Sequence, residues 1–232
     1  MKKTIGILGG MGPLATADLF TKIVSMTKAG CDNDHIRIFI DNNAQIPDRT
    51  TAILKGGADP LPEMESALRN LEKCGASCII MPCNTAHYFL PRLQPLTSTP
   101  FISILEETAK ACAATYPGKT AGILGTTGTL NTGIYSKALE SQGVAYVLPN
   151  EEQQKTLMDI IYSIKGGTML TDPAPFQSIM EEMAAQGADY FILGCTELPV
   201  AAQQLALAGN FIDPTTELAR YAIRFCGYEV NE

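Results

Sequence analysis

The sequence predicts an α/β protein of two pseudo-symmetric lobes, each built on a parallel sheet, with an active-site cleft between them. Three observations predict this. Short β-branched runs alternate with longer amphipathic stretches along the chain. Each apolar run ends in a glycine or a polar turn. The first half of the pattern recurs in the second half. Strands alternating with helices of this length form parallel sheets with right-handed crossovers, and such sheets bind ligands at the carboxyl ends of their strands.

The first predicted strand, Thr4–Leu8, runs into the turn Gly9-Gly10-Met11-Gly12, and a helix follows over Pro13–Lys28. Strand Ile36–Ile40 leads to a polar loop, Gln45-Ile46-Pro47-Asp48-Arg49-Thr50, and then to helix Pro62–Lys73. Strand Cys78–Met81 ends at Cys83, and a helix spans Ile104–Thr115. Strand Thr120–Leu124 enters the loop Gly125-Thr126-Thr127-Gly128, ahead of helix Gly133–Gln142. Strand Val144–Leu148 precedes helices Glu151–Ser163 and Ala174–Gln186. Strand Tyr190–Leu193 ends at Cys195, and a last helix follows Asp213-Pro214.

The repeat is specific. Gly75–Cys83 aligns without a gap on Gly187–Cys195 at an offset of 112, and Gly6-Ile7-Leu8-Gly9 aligns on Gly122-Ile123-Leu124-Gly125 at an offset of 116. A duplication explains two matches in the same order better than chance likeness of α/β half-domains. The boundary is expected near residues 97–118. This gives a first lobe of residues 1–98, rejoined by residues 210–232, and a second lobe of residues 99–209.

Composition bounds the function. The chain has 232 residues, 46% of them hydrophobic, with a net charge of −7. That apolar fraction supports a real core and argues against disorder. The negative charge, without a long Lys/Arg run, excludes a nucleic-acid surface. No stretch has the length and apolarity of a membrane span. Lys2 and Lys3 with Ala15-Thr16-Ala17 carry the letters of a short secretory signal, but Gly6, Gly9, Gly10, Gly12 and Pro13 break its apolar core. Seven cysteines in a chain of this size read as reduced thiols in a cytoplasm. Two histidines, with no second Cys or His pair near Cys74 and Cys78, leave little for a metal site.

Cys83 and Cys195 are the sharpest chemical feature. Each follows a buried-type strand and opens a polar segment, Asn84-Thr85 or Thr196-Glu197. A helix N-terminus there favours thiolate. The same N–H groups, with the Asn84, Thr85 and Thr196 side chains, suit a carboxylate. Two acid/base thiols flanking one carbon suit racemisation or epimerisation. The other five cysteines read as small buried hydrophobes. Met11, Gly12, Thr126 and Thr127 are expected to line the cleft. His87 lies four residues after Cys83 and either assists that thiol or bonds to backbone. Glu197 either tunes Cys195 or complements a helix N-terminus.

GILGGMGP, MPCNTAH and LGCTELP resemble the aspartate/glutamate racemase family, most closely its aspartate racemase branch, over nearly the whole chain. The resemblance implies two pseudo-symmetric α/β domains, a two-base thiol mechanism, no pyridoxal phosphate, no metal and a homodimer. It also implies that Arg49 and Lys165 hold the carboxylates of a small dicarboxylic amino acid. By local reading alone, Arg49 is a solvated loop residue and Lys165 a charge at a glycine-capped helix end. Aspartate and glutamate differ by one methylene, which the sequence does not resolve.

Four rivals are weaker. A one-cysteine decarboxylase or isomerase of the same superfamily leaves one thiol unexplained. A Cys hydrolase has only His87 as base and leaves Cys195 idle. A dinucleotide-binding domain does not fit the glycine spacing, and Asp41 comes later than the usual ~20 residues after the loop. A periplasmic ligand-binding protein needs a convincing signal sequence.

Overall fold

The computed structural model describes residues 3–231. Residues 1, 2 and 232, the extreme ends of the predicted first lobe and including Lys2 of the signal-like stretch, lie outside them. The described residues form two compact units. One runs through Glu107 and resumes at Thr215; the other is Thr108–Pro214.

The first unit holds strands β1 (Ile5–Gly9), β2 (Ile38–Asn42), β3 (Cys78–Ile80) and β4 (Phe101–Ile102). They form a parallel sheet in the order β2-β1-β3-β4. Its helices are α1 (Pro13–Met26), α2 (Arg49–Lys55), α3 (Leu61–Lys73), α4 (Leu90–Leu93) and the start of α5 (Ile104–Thr115). The second unit holds β5 (Thr120–Leu124), β6 (Ala145–Val147), β7 (Tyr190–Leu193) and β8 (Phe211–Ile212), parallel in the order β6-β5-β7-β8. Its helices are α6 (Thr127–Asn131), α7 (Ile134–Ser141), α8 (Glu151–Lys165), α9 (Ala174–Ala185) and α10 (Glu197–Gln204). The last helix, α11 (Pro214–Phe225), begins where the chain resumes the first unit. Among the described residues, no helix is long and apolar enough to cross a membrane.

Local chemistry explains the elements. All five residues of β1 are buried, as a central parallel strand requires. Helix α1 starts with Pro13 at its first position and buries Ala15, Thr16, Leu19 and Ile23 on one face. Burial of a side chain such as Leu19 contributes about 1.5–3 kcal/mol. Helix α8 opens with a reciprocal cap between Asn150 and Gln153, and buries Leu157, Ile160, Ile161 and Ile164. It runs to Lys165, two residues beyond the predicted end, before Gly166 and Gly167 stop it.

The repeat is physical as well as textual. A β-carbon on Gly6 would sit 2.8 Å from the Ala76 β-carbon and 2.9 Å from Ile79 Cδ1. One on Gly122 would sit 2.6 Å from Phe191 Cδ1 and 3.3 Å from the Ala188 β-carbon. Ala76 and Ile79 align on Ala188 and Phe191 in the sequence repeat, so the same contact recurs in each unit.

Beyond shifts of one or a few residues at element ends, the structure differs from the predicted elements at four places. Strands β4 and β8 are two residues each, too short to show a period. The loop holding Arg49 is helical from Arg49 on, because Asp48 caps it by accepting from the Thr51 N–H at 2.7 Å. The loop after β5 turns into α6, capped by Thr126. The segment after Cys83 is a 3-10 turn over Thr85–Phe89, continued by α4.

The turn after β1 requires glycine at position 10. Gly10 has φ +90°, and a β-carbon there would lie 2.2 Å from the Asn43 carbonyl oxygen. Gly10→Ala is expected to destabilise the fold by at least about 2 kcal/mol, read as a lower urea midpoint. Gly12→Ala, where a β-carbon meets nothing within 4 Å, should cost less than about 1 kcal/mol by the same measurement.

Candidate active site

The chain order places one reactive position in each sheet. From β1 the chain crosses to β2 on one side, then returns to β3 on the other. β5, β6 and β7 repeat the manoeuvre. Carboxyl ends flanking such a reversal form the natural ligand crevice of an open parallel sheet. Cys83 lies just past β3 and Cys195 just past β7, beside the turns that leave β1 and β5. Both are buried, at 7% and 6% exposure.

In the first unit, Cys83 packs in one apolar cluster with Leu8, Met11, Ile46 and Met81. Met11 belongs to this buried cluster, at 2% exposure; Gly12 is half-buried at the N-cap of α1. Asn84 and Thr85 are buried beside Cys83. His87 does not serve the thiol. Its Nδ1 pairs with the Cys83 carbonyl oxygen at 2.9 Å, and its Nε2 accepts from the Ile104 N–H at 3.2 Å. Those partners make Nδ1 the protonated nitrogen and occupy both ring positions. His87 thus fastens the Cys83 backbone to the start of α5.

Arg49 is not a solvated loop residue. It is 8% exposed at the first position of α2. One terminal nitrogen donates to the carbonyls of Ile46 and Pro47 at 3.1 and 3.0 Å, while its Nε makes no hydrogen bond among the described residues. A buried guanidinium held by its own loop, with a donor unused, suits an anion.

In the second unit, Cys195 faces Glu197. The thiol donates to Glu197 Oε2 at 2.9 Å, and the Thr196 hydroxyl reaches the same oxygen at 3.3 Å. All three residues are buried. Burial, then the Glu197 charge, push the Cys195 thiol well above its ordinary value, while the Lys165 charge acts the other way. The expected resting thiolate is thereby corrected at Cys195: the sulfur keeps its proton and hands it toward a carboxylate. A helix terminus is worth only about 0.3–1 kcal/mol, too little against burial beside an anion. Lys165 is exposed at the end of α8, close enough for its charge to be felt at Cys195.

Thr126 spends its hydroxyl capping α6, accepting from the Thr129 N–H at 3.1 Å. Thr127 accepts from Gln154 at 3.2 Å, and the same amide donates to the Gly125 carbonyl at 3.0 Å. Gln154, which the sequence reading passed over, holds the turn after β5 from α8. Beside it Thr127, Leu130, Leu148 and Pro149 help line a cavity of about 400 Å³. Among the described residues, no group of three or more His, Cys, Asp or Glu side chains is placed to hold a metal ion.

Comparison with known proteins bears on this geometry. A family model described as Asp/Glu/Hydantoin racemase matches residues 8–222. The broad specificity amino-acid racemase RacX of Bacillus subtilis is 32% identical over 232 residues, covering 94% of this chain and 96% of that protein. The structure of Picrophilus torridus aspartate racemase superposes with a TM-score of 0.86 at 29% identity, covering 99% of this chain and 96% of that one. An aspartate racemase homologue from Pyrococcus horikoshii superposes with a TM-score of 0.75 at 25% identity, covering 97% and 99%.

Burial holds the His87 imidazole down to about 4, against 6.5 for an ordinary histidine. Between these values the unfolded chain binds a proton that the folded chain refuses, so stability falls as pH drops through this window. The expected loss is about 3 kcal/mol, read from urea midpoints. His87→Gln should be less stable than the parent at pH 7, with the gap narrowing toward pH 4.

Proposed function

The chain belongs to the Asp/Glu/hydantoin racemase family and is an amino-acid racemase, and we propose that it interconverts L- and D-aspartate, glutamate or both, through two thiols and without a cofactor. The observation that carries this reading is the paired placement of Cys83 and Cys195. Equivalent strand ends in duplicated units each present a buried thiol.

In this mechanism one sulfur, as thiolate, removes the α-proton, and the other, as thiol, delivers a proton to the opposite face. The roles exchange with the direction of reaction. Proton count is conserved: one proton rests on the sulfur pair before and after turnover. When Cys195 must act as base, Glu197 takes its proton and passes it to solvent while Cys83 takes one up from solvent; when Cys195 acts as acid, the proton stays on the sulfur. Its carboxylate already accepts the thiol hydrogen bond. Arg49 and Lys165 neutralise substrate carboxylates. The buried guanidinium with an unused Nε supports the first assignment, and the influence of the Lys165 charge at Cys195 supports the second. Asn84, Thr85 and Thr196 orient the α-carboxylate and amino group. Fixed donors of this kind supply much of the carbanion stabilisation.

The family resemblance extends the proposal to a homodimer in a reducing cytoplasm. All seven cysteines are free thiols, which agrees with such a compartment. Sedimentation at several concentrations tests the dimer.

Proton NMR in heavy water with L-aspartate, then L-glutamate, tests the reaction. Loss of the α-proton signal with formation of the D-enantiomer is expected without added cofactor. The two acids should differ by no more than about 200-fold, the worth of one methylene. Exchange with neither would overturn the dicarboxylate assignment. Cys83→Ala and Cys195→Ala should each lose at least about 1,000-fold in kcat; a full rate in either would overturn the two-thiol mechanism. Glu197→Gln should lower kcat by about 10–100-fold while leaving the fold intact by circular dichroism.

A further inference from the structure

Away from the candidate site, two other buried thiols meet. Cys78 sits in β3 and Cys226 directly follows α11, at 0% and 1% exposure. The Cys78 and Cys226 side chains interact, and the Cys78 thiol points its proton at the Thr4 carbonyl oxygen, 3.9 Å away. Backbone bonds fix the meeting. Cys78 is in register with Ile5 of β1, and the Ser77 N–H donates to the Thr4 carbonyl at 3.0 Å. The Lys3 N–H donates to the Cys226 carbonyl at 3.3 Å. Lys3 and Thr4 thus hold the two cysteine backbones against one stretch of chain. The Lys3 ammonium lies 3.8 Å over the Phe225 ring, next to Cys226.

We propose that Cys78 and Cys226 form a modification site: an intramolecular disulfide, made on exposure to a peroxide, that ties β3 to the end of α11.

The pair divides the labour. The Cys226 neighbour and burial push the Cys78 thiol up, while the Cys78 neighbour and the Lys3 charge push Cys226 down. Cys226 is therefore the attacking thiolate. Its sulfur bonds to one peroxide oxygen, the O–O bond breaks and hydroxide leaves, giving a sulfenic acid. The Cys78 sulfur then attacks the sulfenic sulfur. The S–S bond forms, the S–O bond breaks, and the Cys78 proton leaves with the hydroxyl as water. Two thiols lose two electrons in total, and one hydrogen peroxide becomes two waters. Burial makes the reaction wait on local opening of the last turn of α11, so it is slower than oxidation of the exposed Cys31 and Cys74.

The test uses the full chain. The protein is treated with a few equivalents of hydrogen peroxide, its remaining thiols are alkylated under denaturing conditions, and its peptides are mapped without reduction. A cross-linked peptide joining Cys78 to Cys226 is expected, with two fewer alkylated thiols and reversal by dithiothreitol. The oxidised protein should melt at a higher temperature than the reduced protein, because the cross-link closes a long loop. C226S should lose both the cross-linked peptide and the rise in Tm; if that variant does not fold, the map of the parent chain decides alone. Cys78 and Cys226 both found alkylated after Cys31 and Cys74 have been oxidised would overturn the proposal. So would a cross-link from either of them to another cysteine.

Discussion

The constraint on which each unit depends is a close approach at the centre of its sheet. Gly6 in β1 and Gly122 in β5 face an alanine and a bulky apolar residue with no room for a methyl group. Strand and flanking segment can therefore pack at full density. That contact seats β1 beside β3 and β5 beside β7, and this adjacency sets each cysteine beside a glycine-bearing turn. A side chain at either glycine would push apart the strands whose ends carry the thiols.

The two units share a frame but not a chemistry. Beside Cys195 stands a carboxylate that accepts the thiol hydrogen bond. At the aligned place beside Cys83 stands Thr85, and the nearby histidine is consumed by backbone groups. The duplicated frame keeps the thiols equivalent in position, while the residues one and two places further on differ, and only Cys195 gains a carboxylate partner from them. The same contrast extends outward. The turn after β1 is fixed by glycine sterics at Gly10, whereas the turn after β5 is fixed by side-chain bonds from Thr126 and Gln154.

Much of the frame was legible because its signals are local. Apolar runs ending in a glycine or a polar turn marked six strands, and the offset of 112 between Cys83 and Cys195 exposed the repeat. What stayed hidden depends on contacts distant in sequence or on very short elements. β4 and β8 have two residues each, and only their neighbours β3 and β7 define them. Arg49 reads as a polar loop residue, yet its guanidinium turns back onto the carbonyls of Ile46 and Pro47 and is buried, a fold of the loop that shows no period. The start of α2 was signalled by Asp48 three residues before Thr51, a cap the sequence reading passed over. At Cys195 the sequence shows the neighbouring Glu197 and a helix terminus, but not the burial, and desolvation beside an anion outweighs the terminus.

The carboxylate beside only one thiol has a thermodynamic boundary. Mirror-image amino acids have equal free energies in water, so their equilibrium constant is one, and kcat/KM must be the same in both directions whatever the enzyme's asymmetry. Under the two-thiol mechanism, Glu197 therefore has no power over the product ratio. What it governs is the free enzyme between turnovers. Each conversion leaves the proton on the opposite sulfur from where it began, and a second molecule of the same enantiomer must wait for the proton to return. A buried thiol hydrogen-bonded to a carboxylate has a built-in relay for that return. The other thiol, beside Thr85, is without that carboxylate, so under the proposed mechanism recovery of the starting form, rather than the carbon chemistry, is the step at which the two halves of this duplicated chain would part company.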